Sequence, residues 1–131
     1  NAAGVHGVII SKRRAVGLTS AVSKASAGAI EYVPVARVTN IVQTIEKLKK
    51  QNIWVVGTDS SGEDLYFEKD LTGPIALVIG SEGEGMGRLV RESCDFVVKI
   101  PMAGEISSLN AAVAGAVVMY EIVRQRSEKG S

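Results

Sequence analysis

Short apolar runs alternate along this chain with polar, glycine-bearing segments, and in two places apolar residues instead recur at helical spacing. The runs at residues 5–10, 53–56, 74–79 and 94–100 are rich in Val and Ile and are bounded by turn-forming residues, so they predict buried strands. Residues 32–35 predict a further short strand, made irregular or placed at an edge by Pro34. Asn40 is a natural helix N-cap. Ile41, Val42, Ile45 and Leu48 follow it on one face, opposite Gln43, Glu46, Lys47, Lys49 and Lys50, which predicts an amphipathic helix. Residues 19–27, rich in Ala and Ser, predict a closely packed helix ending near Gly28, and residues 87–92 one or two helical turns. The last helix is predicted over 107–126. Its small residues Ala111, Ala112, Ala114, Gly115 and Ala116 suit close approach to the core or to a second subunit. Strands and helices in alternation predict an α/β domain, with a mostly parallel sheet and helices on both faces.

The 131 residues are enough for one domain with a core of its own, and 46% hydrophobic with 22% charged residues is a globular composition. A net charge of +1 supplies no strong field toward polyanions, although basic clusters stand at Lys12-Arg13-Arg14, Lys47/Lys49/Lys50, Arg88/Arg91 and Arg124/Arg126. Most such clusters are solvated faces. Arg88 and Arg91 have the stronger claim to nucleic acid because they follow a glycine-rich loop. One cysteine, Cys94, excludes an intrachain disulfide, and with the single His6 far away it excludes a zinc site, so no metal is expected. His6, early in a strand, is read as structural. No signal-like segment opens the chain and no stretch is apolar enough to span a membrane, so the expected setting is soluble, reducing and cytoplasmic.

Two loops hold the candidate chemistry. Ile79-Gly80-Ser81-Glu82-Gly83-Glu84-Gly85-Met86 and Ile100-Pro101-Met102-Ala103-Gly104-Glu105-Ile106-Ser107-Ser108-Leu109-Asn110 each leave a predicted strand, where open α/β sheets bind ligands. A Walker phosphate loop would need Lys followed by Ser or Thr, and Gly85-Met86-Gly87-Arg88-Leu89 has neither. The dinucleotide fingerprint fails as well, because Arg88 occupies its last glycine position and the loop follows a late strand. Glu82 and Glu84 would repel a pyrophosphate and favour a cationic ligand such as a sulfonium.

At these residues the chain resembles the SpoU/TrmH branch of the SPOUT methyltransferases, the first loop matching the family's second motif and the second loop its third. The likeness runs across essentially the whole chain. Ala2-Ala3-Gly4-Val5-His6 and Asn52-Ile53-Trp54-Val55-Val56-Gly57-Thr58 are similar to members that modify a guanosine in large-subunit (23S) rRNA. The resemblance implies transfer of a methyl group from S-adenosylmethionine to a ribose 2′-hydroxyl of RNA, and a fold tied in a C-terminal trefoil knot. It implies cofactor contacts at Thr58, Gly80, Ile100, Met102 and Leu109, and roles around the reaction for Glu82, Ser108 and Asn110. Read without the family, these are a turn glycine, core side chains, capping Ser and Asn residues and a solvated Glu.

The resemblance also implies a homodimer built through the C-terminal helix, with rRNA as partner and tRNA as the alternative substrate. The family's first motif places an asparagine and an arginine just before the Ala-Ala-Gly-Val stretch, and Asn1 already lies past them. Residues 1–131 are therefore expected to be a catalytic domain truncated at its N-terminus, with an RNA-binding domain expected upstream as in many relatives. The chemistry lost with that motif leaves open a second reading, a dimerisation and RNA-docking module without activity. An NAD-linked oxidoreductase is disfavoured by the missing fingerprint.

Overall fold

A computed structural model describes residues 3–11, 35–80, 86–104 and 111–129. By its contacts the chain divides into two compact units, Asn1–Thr44 and Ile45–Ser131.

In the first unit, β1 (Val8–Ser11) pairs in parallel with β2 (Val35–Val38), Val8 opposite Val35 and Ser11 opposite Val38. The strand expected over 5–10 thus starts three residues later. Gly4 has φ +80°, a left-handed conformation that favours glycine, and His6 is exposed ahead of the strand. β2 begins at Val35, and residues 32–34 of the strand expected over 32–35 lie outside the described residues. The helix expected over 19–27 lies outside the described residues.

Helix α1 (Ile41–Lys50) begins as its pattern predicts: Asn40 Oδ1 accepts the Gln43 N–H at 3.1 Å, the N-cap bond that satisfies one of the first turn's donors. Ile45 is buried on the apolar face, while Gln43, Glu46, Lys47 and Lys50 are exposed. The helix ends at Asn52, whose φ of 64° lets the Ile53 N–H reach back to the Leu48 carbonyl at 3.2 Å. Asn tolerates this left-handed stop better than most residues.

The second unit is built on a parallel sheet of β3 (Trp54–Thr58), β4 (Asp64–Leu65), β5 (Ile75–Ile79) and β6 (Phe96–Lys99), in the order β4-β6-β3-β5. β3 runs two residues beyond its predicted end and takes in Gly57 and Thr58. A Cβ on Gly57 would lie 2.7 Å from Met86 Cε and 3.1 Å from Cys94 Sγ, so glycine there admits side chains from the segment that follows β5. The two-residue β4 has no periodicity to announce it. Its partner Lys99 ends β6, which also begins later than the predicted run, at Phe96.

Val56, Leu71, Val98, Val118 and Ile122 form one buried cluster, with Tyr66, Ile75, Leu77, Phe96 and Ile100 packed against it. Val118 and Ile122 come from α3 (Ala111–Glu128). That helix lies against β5, and a Cβ on Gly115 would meet the Ile79 Cδ1 at 2.5 Å. Its lower end is tied to residues 69–73: Gln125 Oε1 accepts the Leu71 N–H at 2.7 Å, Gln125 Nε2 donates to the Lys69 carbonyl at 3.0 Å, and Arg126 donates to the Gly73 carbonyl at 2.7 Å. The short helix α2 (Arg88–Ser93) falls where helical turns are predicted. The C-terminal trefoil knot that the resemblance implies is not shown by the described residues, which leave out 81–85 and 105–110. No described helix is long and apolar enough to cross a membrane.

Candidate functional site

Every pairing among the described strands is parallel, so the carboxyl ends of β3, β5 and β6 open on one edge of the sheet. Register makes this concrete. Thr58 is opposite Ile79 on one side and Val98 on the other, which places Gly80, one residue past Ile79, and Ile100, two past Val98, beside Thr58 on the same rim. Three of the residues singled out in the sequence are therefore brought together. Met102 follows Ile100 on the segment leaving that rim and is half-buried. Leu109, Glu82, Ser108 and Asn110 lie outside the described residues.

Thr58 is 8% exposed and its Oγ1 has no hydrogen-bond partner among the described residues. A hydroxyl removed from water without a partner costs free energy, so such an atom at a ligand-binding rim points to a group that completes it. Ile100 contributes differently. Its side chain packs against the core cluster, leaving its backbone as the part able to meet a ligand. Gly80 has no side chain to occupy the space beside it.

The loop after β3 is fixed from several directions. Asp59 N–H donates to the Val98 carbonyl at 3.1 Å, Gly62 N–H to the Asp59 carbonyl at 3.0 Å, and Ser61 N–H to Asp59 Oδ2 at 3.2 Å. A Cβ on Gly62 would lie 2.7 Å from the Val98 carbonyl carbon, so the loop rests directly on the β6 backbone. From α2, the Arg91 guanidinium donates to the Ser61 carbonyl at 3.0 Å and to Ser61 Oγ at 2.5 Å, and it reaches Asp59 Oδ2 at 3.4 Å. The turn residues Asp59-Ser60-Ser61-Gly62 signal such a loop in sequence. Nothing local signals Arg91, which stands 32 positions from Asp59.

The basic clusters resolve unequally. Arg88 is 79% exposed, with only a 3.7 Å contact to Glu92, whereas Arg91 has internal partners. Lys49 Nζ donates to the Ser93 carbonyl at 3.1 Å, and Arg124 pairs with both Glu121 and Glu128. Lys12, Arg13 and Arg14 lie outside the described residues. Burial, with Asp95 adding to it, pushes the Cys94 thiol up to about 11, which disfavours the thiolate at neutral pH. No group of described His, Cys, Asp or Glu residues could hold a metal ion.

A parallel α/β sheet with its ligand rim at the carboxyl ends of three adjacent strands defines a class of ligand-binding domain. Within that class the chain belongs to the SpoU rRNA Methylase family, whose pattern matches residues 1–120. The Bacillus subtilis protein YacO, by name a TrmH family tRNA/rRNA methyltransferase, is 58% identical over 99% of this chain and 52% of its own length. Among solved structures, the SpoU methyltransferase AviRb from Streptomyces viridochromogenes in complex with the cofactor AdoMet is 37% identical, with a TM-score of 0.87. That match covers 95% of this chain and 49% of AviRb. An RNA 2′-O ribose methyltransferase is 30% identical with a TM-score of 0.84, over 95% of this chain and 48% of that one. The chain thus spans about half the length of the curated relatives it matches.

Proposed function

We propose that this chain binds S-adenosylmethionine at the shared rim of β3, β5 and β6 and serves in methyl transfer to a ribose 2′-hydroxyl of RNA. The observation that carries this reading is the buried Thr58 Oγ1, without a hydrogen-bond partner among the described residues, between Gly80 and Ile100. It is supported by the AdoMet complex of AviRb and by the ribose 2′-O activity in the name of another close structure. When bound, S-adenosylmethionine supplies a sulfonium methyl open to in-line attack.

The chain's own residues provide the surroundings. Thr58 offers a hydroxyl, Gly80 and Ile100 offer backbone groups, and Met102 and Leu109 offer apolar walls to the adenosine. Glu82 places a negative charge near the cationic end. Ser108 and Asn110 orient the acceptor ribose through hydroxyl and amide hydrogen bonds, holding reacting atoms in line. Guanosine in 23S rRNA is the preferred acceptor, and tRNA is the alternative that the name of YacO also covers.

A second copy of the chain completes the enzyme as a homodimer through α3. Val113, Ala116 and Tyr120 are exposed at helical spacing there, while Gly115 is buried against the chain's own Ile79. The free, half-buried Cys94 fits a reducing, cytoplasmic setting.

Incubating the full-length protein with S-adenosylmethionine and unmodified 23S rRNA or tRNA, followed by nuclease digestion and mass spectrometry, tests the reading. A 2′-O-methyl nucleoside is expected, with Asn110→Ala lowering its yield. RNA bound without any methylated ribose would leave a docking module in place of an enzyme.

A further inference from the structure

Arg91 and Arg88 stand on the same short helix and look alike in sequence, yet they face different surroundings. The Arg88 side chain is 79% exposed, whereas that of Arg91 is 33% exposed and directed at three acceptors on one loop: Asp59 Oδ2, Ser61 Oγ and the Ser61 carbonyl. Asp59 is itself only 19% exposed, and its Oδ2 also accepts the Ser61 N–H and hydroxyl. A planar guanidinium on a carboxylate, a hydroxyl and a carbonyl is a geometry a point charge would not reproduce.

The position of this clamp gives it meaning. Asp59 is the residue directly after Thr58, and Arg91 stands on the helix that follows residues 81–85 after β5. A second tie lies alongside, since Met86 packs where a Cβ on Gly57 would be. The segment leaving β3 and the segment leaving β5 are therefore fastened to each other beside the rim. We infer that Arg91 is a positioning residue: through Asp59 and Ser61 it holds the loop beyond Thr58 in the arrangement that receives the methyl donor, and it does not contact RNA. This rests on the proposed cofactor site and assigns Arg91 a task other than the phosphate contact suggested by its neighbours in sequence.

If loosening the clamp leaves the loop in its receptive arrangement about a tenth of the time, the apparent Kd for S-adenosylmethionine rises about tenfold, with no contact to the ligand removed. The test is calorimetric titration of S-adenosylmethionine into the full-length protein and its Arg91→Ala, Arg91→Lys, Ser61→Ala and Asp59→Ala variants, together with RNA binding at fixed salt. Arg91→Ala is expected to weaken cofactor binding about tenfold and Arg91→Lys less, while RNA affinity stays within about twofold. Arg91→Ala combined with Asp59→Ala is expected to be no worse than the more damaging single change, as for two members of one clamp. In turnover, the KM for S-adenosylmethionine rises while kcat at saturating donor holds, a split that a general loss of stability does not produce.

Should Arg91→Ala fail to fold, Ser61→Ala carries the test, because it removes one acceptor and leaves the Arg91–Asp59 pair. Unchanged cofactor affinity in the folded variants overturns the inference, as does a loss confined to RNA binding. If the unsubstituted protein binds no S-adenosylmethionine, the cofactor reading itself falls and this inference with it. Binding by the wild type together with an indifferent Arg91→Ala overturns the inference alone.

Discussion

Gly62→Ala puts a methyl group where the structure has no room for it. The new Cβ would stand 2.7 Å from the Val98 carbonyl carbon, 2.9 Å from its oxygen and 3.0 Å from the Lys99 nitrogen. All three are backbone atoms of β6, and Val98 is wholly buried, so the strand has little freedom to yield. Relief must come from the loop, which is held by the Asp59 N–H to Val98 carbonyl bond at 3.1 Å and the Gly62 N–H to Asp59 carbonyl bond at 3.0 Å. Weakening two such bonds costs about 1 kcal/mol each. Overpacking adds about 1–3 kcal/mol, so the expected loss is about 3–5 kcal/mol.

Gly115→Ala is the matched control. Its Cβ would come still closer to an atom, 2.5 Å, but that atom is the Ile79 Cδ1, the free end of a flexible side chain. Turning it aside costs about 1 kcal/mol, and alanine returns about as much in helix propensity, so this change should be near neutral. Urea unfolding followed by far-ultraviolet circular dichroism measures both. A Gly62→Ala midpoint equal to wild type, or a greater loss at Gly115, would refute the argument that the nature of the neighbour decides the cost.

Asn40→Ala removes the N-cap bond to Gln43 and should cost about 1 kcal/mol in the same unfolding assay, with Asn40→Asp recovering most of it. Glu121 is held below the usual carboxylate value of 4.5 by hydrogen bonds from Arg124, then from Gln125, with burial opposing them. A depressed folded-state value means that its stabilisation is complete above about pH 4.5 and is lost as pH falls through the lower folded value. Glu121→Gln should therefore lower Tm at neutral pH and converge with wild type in acid; parallel curves would exclude the linkage. Cys94, with its thiol pushed up to about 11, should react with iodoacetamide far more slowly at neutral pH in folded than in unfolded protein, measured by mass spectrometry.

Periodicity was informative where an element is long enough to repeat it. Helix α1 showed its apolar face and its Asn40 cap, and β3, β5 and β6 stood out as Val- and Ile-rich runs bounded by turns. It was blind to β4, whose two residues hold their place by pairing with Val98 and Lys99.

The candidate site divided along similar lines. Thr58, Gly80 and Ile100 could be named only through the family resemblance, because by themselves they read as a strand end, a turn glycine and a core side chain; parallel register then sets them side by side. The engagement of Arg91 by Asp59 and Ser61 could not be found, since that pairing depends on tertiary placement of residues distant in sequence. Gly57 and Gly62 read as ordinary turn residues, yet their requirement comes from Met86, Cys94 and the β6 backbone, which crowd them in space.

The claim that the rim of β3, β5 and β6 receives the methyl donor is tested most directly by titrating S-adenosylmethionine into the full-length protein and into Thr58→Val. Valine removes a buried hydroxyl that has no partner among the described residues, so the free protein should be about 1 kcal/mol more stable than wild type. Its affinity for S-adenosylmethionine should nevertheless fall by about tenfold, the worth of one lost hydrogen bond to the ligand. Equal binding by the two proteins, or no saturable binding by wild type, would contradict the placement of the cofactor at this rim.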